Sequence, residues 1–129
     1  MQSTPIDDAL TESTLATLRK LDVAINQHDL TSVMDLMSED TVWENTYPPP
    51  DGERYEGHAA VRAAFEKFFH DSPRATFEVE DTFAAGERAV VRWRYRWVDP
   101  NGEPGHVRGV DLVRVRAGKV VESLSYVKG

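Results

Sequence analysis

The residue that most invites a chemical reading is Asp111. It stands in the run Val107-Arg108-Gly109-Val110-Asp111-Leu112-Val113-Arg114-Val115, whose β-branched residues predict a strand. A strand has a side-chain period of two. Val107, Gly109, Asp111, Val113 and Val115 therefore share one face, and Arg108, Val110, Leu112, Arg114 and Arg116 share the other. A carboxyl in an apolar row must be paired, hydrogen-bonded or protonated, because an isolated buried carboxylate is strongly disfavoured. Two outcomes stay open. It is either a structural carboxylate that meets an arginine or backbone donor, or a raised-pKa acid that donates to a substrate oxygen. Arg108 and Arg114 are sent to the opposite face, so neither is expected to pair with it.

Other groups line up with this one. Between Ala89 and Val98 the alternation is clean: Val91, Trp93, Tyr95 and Trp97 on one side, Arg92, Arg94 and Arg96 on the other. The aromatic side is expected inside, as core or as the wall of a pocket, and the arginines outside, wet or paired. A short strand predicted over Thr41–Thr46 puts Trp43 and Asn45 together, with Val42, Glu44 and Thr46 opposite; a shift of one residue would exchange Asn45 for Glu44. Ser123 and Ser125 share a face of the last strand. His106 precedes the Asp111 strand and is a candidate base at the pocket mouth, since imidazole titrates near neutrality. His28, His58 and His70 read as surface. The four histidines have no metal-ligand spacing and there is no cysteine, so neither a metal site nor a disulfide is expected. No glycine-rich phosphate loop is present, and no cofactor is expected.

These residues need elements to hold them. The chain has 129 residues, 40% hydrophobic and 29% charged, which predicts one globular domain over residues 1–129 with residues 1–8 a loose N-terminus. A net charge of −7 disfavours nucleic acid. No apolar run approaches the roughly 20 residues of a membrane helix, and no basic segment leads into an apolar one, so no membrane partner and a cytoplasmic location are expected. Thr4-Pro5 has the form of a helix start, and Leu15, Leu18, Leu21 and Ile25 follow at helical spacing. Asp29 caps a second helix with Leu30, Val33, Met34 and Met37 inward, ended by Ser38-Glu39-Asp40. Gly57 introduces a third, whose stripe is Val61, Phe65, Phe68 and Phe69. Strands are predicted at Thr76–Phe83, Ala89–Val98, Val107–Arg116 and Val120–Val127, with turns at Asp99–Gly102 and Ala117-Gly118. The class is α+β, with helices on one face of a curved, mostly antiparallel sheet.

In order and spacing, three segments resemble the nuclear-transport-factor-2-like superfamily, of the SnoaL-like and ketosteroid-isomerase-like kind. They are Ile25–Leu30, Leu36–Asn45 and Val110–Val115 with Gly118–Val121, joined by the helix start from Gly57 to Phe65. The resemblance implies a cone of three N-terminal helices wrapped by the sheet, an apolar pocket, and commonly a dimer. Ketosteroid isomerases use a carboxylate base, a tyrosine and a protonated aspartate. Asn45 falls at the base, Leu21 at the tyrosine and Asp111 at the aspartate, so one of the three groups is matched. Trp43-Glu44-Asn45 resembles the aromatic-x-Asn pair of limonene-epoxide-hydrolase-like members, but Ser125 stands where their final aspartate would fall.

The reading is a small-molecule pocket protein. Trp43, Phe65, Phe69, Trp93, Tyr95 and Trp97 would wall the pocket; Asp111, Asn45 and His106 would be its chemical groups, and Ser123 and Ser125 further polar points. The expected partners are an apolar, cyclic small molecule and a second copy of the chain, packed sheet to sheet. A cofactor-independent acid–base enzyme (isomerase, polyketide-type cyclase or epoxide-type hydrolase) is favoured; a non-catalytic ligand-binding or assembly domain is the alternative.

Overall fold

The computed structural model describes residues 8–129. The predicted helix start at Thr4-Pro5, and all but Asp8 of the loose N-terminus, lie outside these residues; Asp8 is already helical. The elements run α1 (Asp8–Asn26), α2 (Leu30–Asp35), β1 (Met37–Glu44), β2 (Arg54–Glu56), α3 (His58–Asp71), β3 (Thr76–Ala85), β4 (Arg88–Val98), β5 (Pro104–Arg116) and β6 (Lys119–Val127). The strands form one sheet in the order β2-β1-β6-β5-β4-β3, antiparallel throughout except for the parallel pair β1–β6. This is α+β, three helices on a curved, mostly antiparallel sheet, as the periodicities predicted.

Local chemistry sets the joints. α1 buries Leu18, Leu21 and Ala24, and the Thr14 hydroxyl donates to the Gly86 carbonyl at 2.6 Å, fixing the helix to the β3–β4 turn. After α1, Asn26 treats β3 as a neighbouring strand would. Its amide donates to the Phe77 carbonyl (2.9 Å) and its carbonyl accepts the Phe77 N–H (2.8 Å). His28 then turns the chain in the left-handed region, φ 53°. Asp29 caps α2 by accepting the Ser32 N–H at 3.1 Å. The β5–β6 hairpin turns on Ala117 and Gly118, both at positive φ, the geometry a two-residue loop requires.

Two expectations are corrected. Met37–Asp40 is not the tail of the second helix but the first half of β1; Met37 continues the helical spacing, but its backbone pairs with Val120. The short strand β2, opposite β1, was not foreseen.

The faces of the sheet follow period two. Trp93 is buried at 5% exposure on the helix-covered side, while Arg92 and Arg96 are exposed on the other. Cross-strand partners share a face, so Val91 lies beside Asp111, Trp93 beside Gly109 and Trp97 beside Gly105 on the concave side. Arg92, Arg94 and Arg96 face outward with Val110, Arg108 and His106. The core between the helices and the sheet is apolar: Leu18, Val33, Val61, Val113, Val115 and Val120 are all buried in it.

Candidate functional site

Two tryptophans of β4 lie across two glycines of β5. A Cβ on Gly105 would come within 2.4 Å of the Trp97 indole; one on Gly109 would come within 2.7 Å of the Trp93 ring and 2.3 Å of the Tyr126 carbonyl. Only glycine leaves room for an indole to lie over the adjacent strand. Gly109 is two residues before Asp111 on the same face, so this packing brings Trp93 to Asp111.

Asp111 lies among apolar and aromatic neighbours, crowded by protein atoms yet with part of its surface open. Its Oδ1 accepts a hydrogen bond from the Ser125 hydroxyl at 2.6 Å, and among the described residues no cation pairs with it. Desolvation raises its pKa from 3.8 to about 6; the Ser125 hydroxyl and the nearby Trp93 N–H oppose the rise without cancelling it. The Trp93 N–H is not within full hydrogen-bonding geometry of any acceptor, so its pull on the carboxylate acts through proximity.

One step deeper on the concave face, Ser123 of β6 is the cross-strand partner of both Trp43 and Val113. Ser123 is 1% exposed, and neither its hydroxyl nor the Trp43 indole N–H has a partner, although both atoms are sealed from solvent. Trp43 meets Phe65 edge-on at 5.0 Å. From there an unbroken run of rings crosses the cone: Phe65 to Phe69 (5.9 Å), Phe69 to Phe68 (5.6 Å), Phe68 to Tyr95 (6.0 Å) and Tyr95 to Trp97 (5.4 Å). Phe77 closes on Trp93 at 5.5 Å.

The structure thus brings Asp111, Ser125, Ser123, Trp43, Trp93, Phe65, Phe69, Tyr95 and Trp97 to one side of the sheet. It does not bring the other two chemical candidates there. Asn45 is exposed past the end of β1; its Oδ1 accepts the Glu53 N–H (2.7 Å) and its Nδ2 reaches the Tyr55 hydroxyl (3.5 Å), so its amide braces the loop back to β2. Glu44 faces outward and pairs with Arg54 at 2.8 Å, which confirms the register of β1. His106 is corrected. Pairing places it beside Arg96 on the outward face, exposed in an open groove of about 450 Å³ with Arg74 and the edge of Trp97. β5 begins at Pro104, so period two already applies at His106, five residues from Asp111 and hence on the other side.

Two further histidines also differ from expectation. His28 stacks on Phe69 at 4.7 Å and meets the Ala75 carbonyl at 3.1 Å; His58 meets the Met34 carbonyl at 3.0 Å. Both are joints between elements. Tyr55 was missed: it lies beside Trp43, donates to Glu53 at 2.9 Å, and has its pKa raised mainly by burial. Gly105 and Gly109 were missed as well, although Trp-x₃-Trp facing Gly-x₃-Gly across a hairpin is legible in the sequence. Among the described residues, no group of three or more metal-ligating side chains comes together, and no helix is long and apolar enough to cross a membrane.

Three helices closing one face of a strongly curved sheet, with a lone carboxyl among aromatic rings, define the chain as a nuclear-transport-factor-2-like protein. Within that class the SnoaL-like domain model matches residues 18–123, and the chain belongs to that family. It is similar to the crystal structure of an NTF2-like protein of unknown function from Mesorhizobium loti, with 37% identity, a TM-score of 0.80 and 100% of both chains covered. A provisionally named ketosteroid isomerase from Kribbella flavida has 22% identity and a TM-score of 0.77 over 92% of this chain and 80% of that one. A provisionally named SnoaL-like polyketide cyclase from Jannaschia sp. CCS1 has 19% identity and a TM-score of 0.76 over 99% and 91%. The last two likenesses are of fold. No curated protein matches the sequence.

Proposed function

We propose that the chain is a cofactor-independent acid–base enzyme acting on a small, apolar, cyclic molecule, with Asp111 as the proton-handling group. The observation that carries this reading is the state of Asp111: a carboxyl held by one hydroxyl, unpaired with any cation among the described residues, with a pKa pushed up to about 6 by desolvation. A carboxyl near that value serves either direction of transfer at neutral pH. Protonated, it donates to a carbonyl or enolate oxygen; ionised, it takes a proton from carbon next to a carbonyl. Ser125 fixes Oδ1 and so leaves Oδ2 to face the substrate. Isomerisation and polyketide-type cyclisation both use such a step. Epoxide-type hydrolysis is less well supported, because the amide expected to hold its water, on Asn45, is committed to a loop.

The test is deuterium uptake next to the carbonyl of decalone, a bicyclic ketone, followed by NMR. The wild-type chain accelerates exchange over buffer, and Asp111→Asn lowers that rate by roughly 100-fold or more. Ketone binding without exchange overturns the catalytic reading. It would favour a non-catalytic ligand-binding domain, which has its own support: Leu21 is buried and apolar where a tyrosine would serve.

The same reading includes a homodimer. Val90, Val110, Leu112, Leu124 and Tyr126 form an apolar centre on the convex face, with Leu112 41% and Tyr126 54% exposed, rimmed by arginines and glutamates of both signs. A second copy supplies a matching centre and rim. Sedimentation at micromolar concentration gives a dimer, and Leu112→Arg gives a monomer; a monomeric wild type overturns it.

A further inference from the structure

The floor of the cone contains a polar pair that the chemistry at Asp111 does not use. Trp43 on β1 and Ser123 on β6 are direct cross-strand partners with side chains on the concave face. The indole N–H and the hydroxyl are each buried and each without a hydrogen-bond partner. Buried polar groups are almost always satisfied, and leaving one unpaired is destabilising, so two side by side on one wall call for a reason. Packing does not supply it. Phe65, edge-on to Trp43, would accommodate a phenylalanine at that position, and alanine would fill the place of Ser123. Nor does the acid: Asp111 already has its hydroxyl, from Ser125.

The spacing is informative. Ser123 and Ser125 are two residues apart on one strand face, a separation of about 7 Å. One polar point of the concave wall is Asp111 with Ser125, and the other is Trp43 with Ser123. The pair offers an indole N–H that can only donate and a hydroxyl that can do either, a set suited to an oxygen acceptor.

We propose that Trp43 and Ser123 form a second subsite, which binds a carbonyl or hydroxyl oxygen on the far side of the substrate from the oxygen at Asp111. The substrate class is therefore a cyclic molecule with two oxygen functions about one ring apart. This rests on the reading of Asp111 as the first oxygen site. Phe65 lies edge-on to Trp43, so a ligand reaching the pair would have to displace that ring.

The experiment compares decalone with decalindione, which has one carbonyl on each ring, by NMR titration. The chain has three tryptophans, so its indole N–H signals are three and are assigned with single Trp→Phe variants. The Asp111 carboxyl carbon reports the first site and the Trp43 N–H reports the second. Decalindione is expected to move both; decalone is expected to move the Asp111 signal with a smaller effect at Trp43. Ser123→Ala should weaken decalindione roughly tenfold, the worth of one hydrogen bond, and leave decalone unchanged. The same variant should unfold at the same temperature or higher, because it removes an unpaired hydroxyl; a purely structural serine would lose stability. Equal affinity for both ketones in wild type and Ser123→Ala, with the Trp43 signal still, overturns the second subsite alone. Movement at Trp43 with none at Asp111 overturns the reading of Asp111 and of the pair as the far end. Neither ketone binding at millimolar concentration overturns both.

Discussion

On the convex face, Arg108 grips Glu80 through two hydrogen bonds of 2.8 and 2.7 Å, and Arg96 meets Glu78 at 3.2 Å. On the concave face of the sheet, Asp111 has one hydroxyl and, among the described residues, no cation, while Trp43 of β1 and Ser123 of β6 hold polar atoms with no partner. The sheet thus has ion pairs on one side and, on the other, a carboxyl without a cation beside neutral polar groups. Water screens the exposed Arg96–Glu78 pair and would replace either partner, so it contributes little to stability. Inside, each unpaired group is a cost that a fold alone would have removed. Buried atoms without a partner occur on both faces, the Arg94 and Arg114 Nε on the convex side and the Trp43, Trp93 and Ser123 atoms on the concave side, and only the concave ones lie among aromatic rings beside an unpaired carboxyl.

The contrast can be broken by substitution, and the largest effect belongs to Gly109. A side chain there meets the Tyr126 carbonyl at 2.3 Å, which is backbone of the paired strand and cannot swing away, besides the Trp93 ring at 2.7 Å. Gly109→Ala should cost about 3 kcal/mol in chemical denaturation. For Gly105→Ala the nearest atoms belong to the Trp97 side chain, which can shift, so the cost should be clearly less; equal losses would show that the two indoles are not held differently.

The next effect in size sharpens the concave side. The folded-state pKa of Asp111 is raised from 3.8 to about 6. Below about 3.8 both folded and unfolded chains hold the proton, and stability is undiminished. Between the two values the folded chain binds more protons than the unfolded one, so stability falls as pH rises, and above about 6 the loss is complete. The shift corresponds to on the order of 2 to 3 kcal/mol. Asp111→Asn should therefore stabilise the chain at pH 7 by about that amount and change little at pH 3.5. A variant destabilised at pH 7 would mean that the carboxylate has a partner in the folded chain.

The smallest effect is expected outside. Arg96 meets the Glu78 carboxyl at 3.2 Å with both side chains exposed, and Glu78→Gln should leave the denaturation midpoint within error, with or without salt. A clear loss would erase the difference between the faces.

Much of this was legible in the chain. The clean alternation from Ala89 to Val98 gave both faces of β4, and parity carried Asp111 and the two serines to the concave side. Parity would also have placed His106 outside, had the strand been read back to Pro104. What escaped was tertiary. Met37 fits a helix by spacing and a strand by pairing, and only β6, far along the sequence, decides between them. Asn45 shares a face with Trp43 by period, but β1 ends at Glu44, and beyond a strand's end the period no longer governs. His28 looked like a surface turn residue because no local pattern reveals that Phe69 will lie flat against it.

The parallel pairing of β1 with β6 has a consequence in time. Trp43 and Ser123 are about 80 residues apart in the chain, and no hairpin draws them together. The meander β3–β6 can assemble from neighbours, through short loops; the β1–β6 contact needs a closure across most of the chain, the kind of step that slows folding. The floor of the cone is then the last part to be built, and during synthesis it cannot exist until the final strand has left the ribosome. A chain without β6 would lack Ser123 and the strand against which Trp43 pairs, and with them the proposed far end of the ligand site.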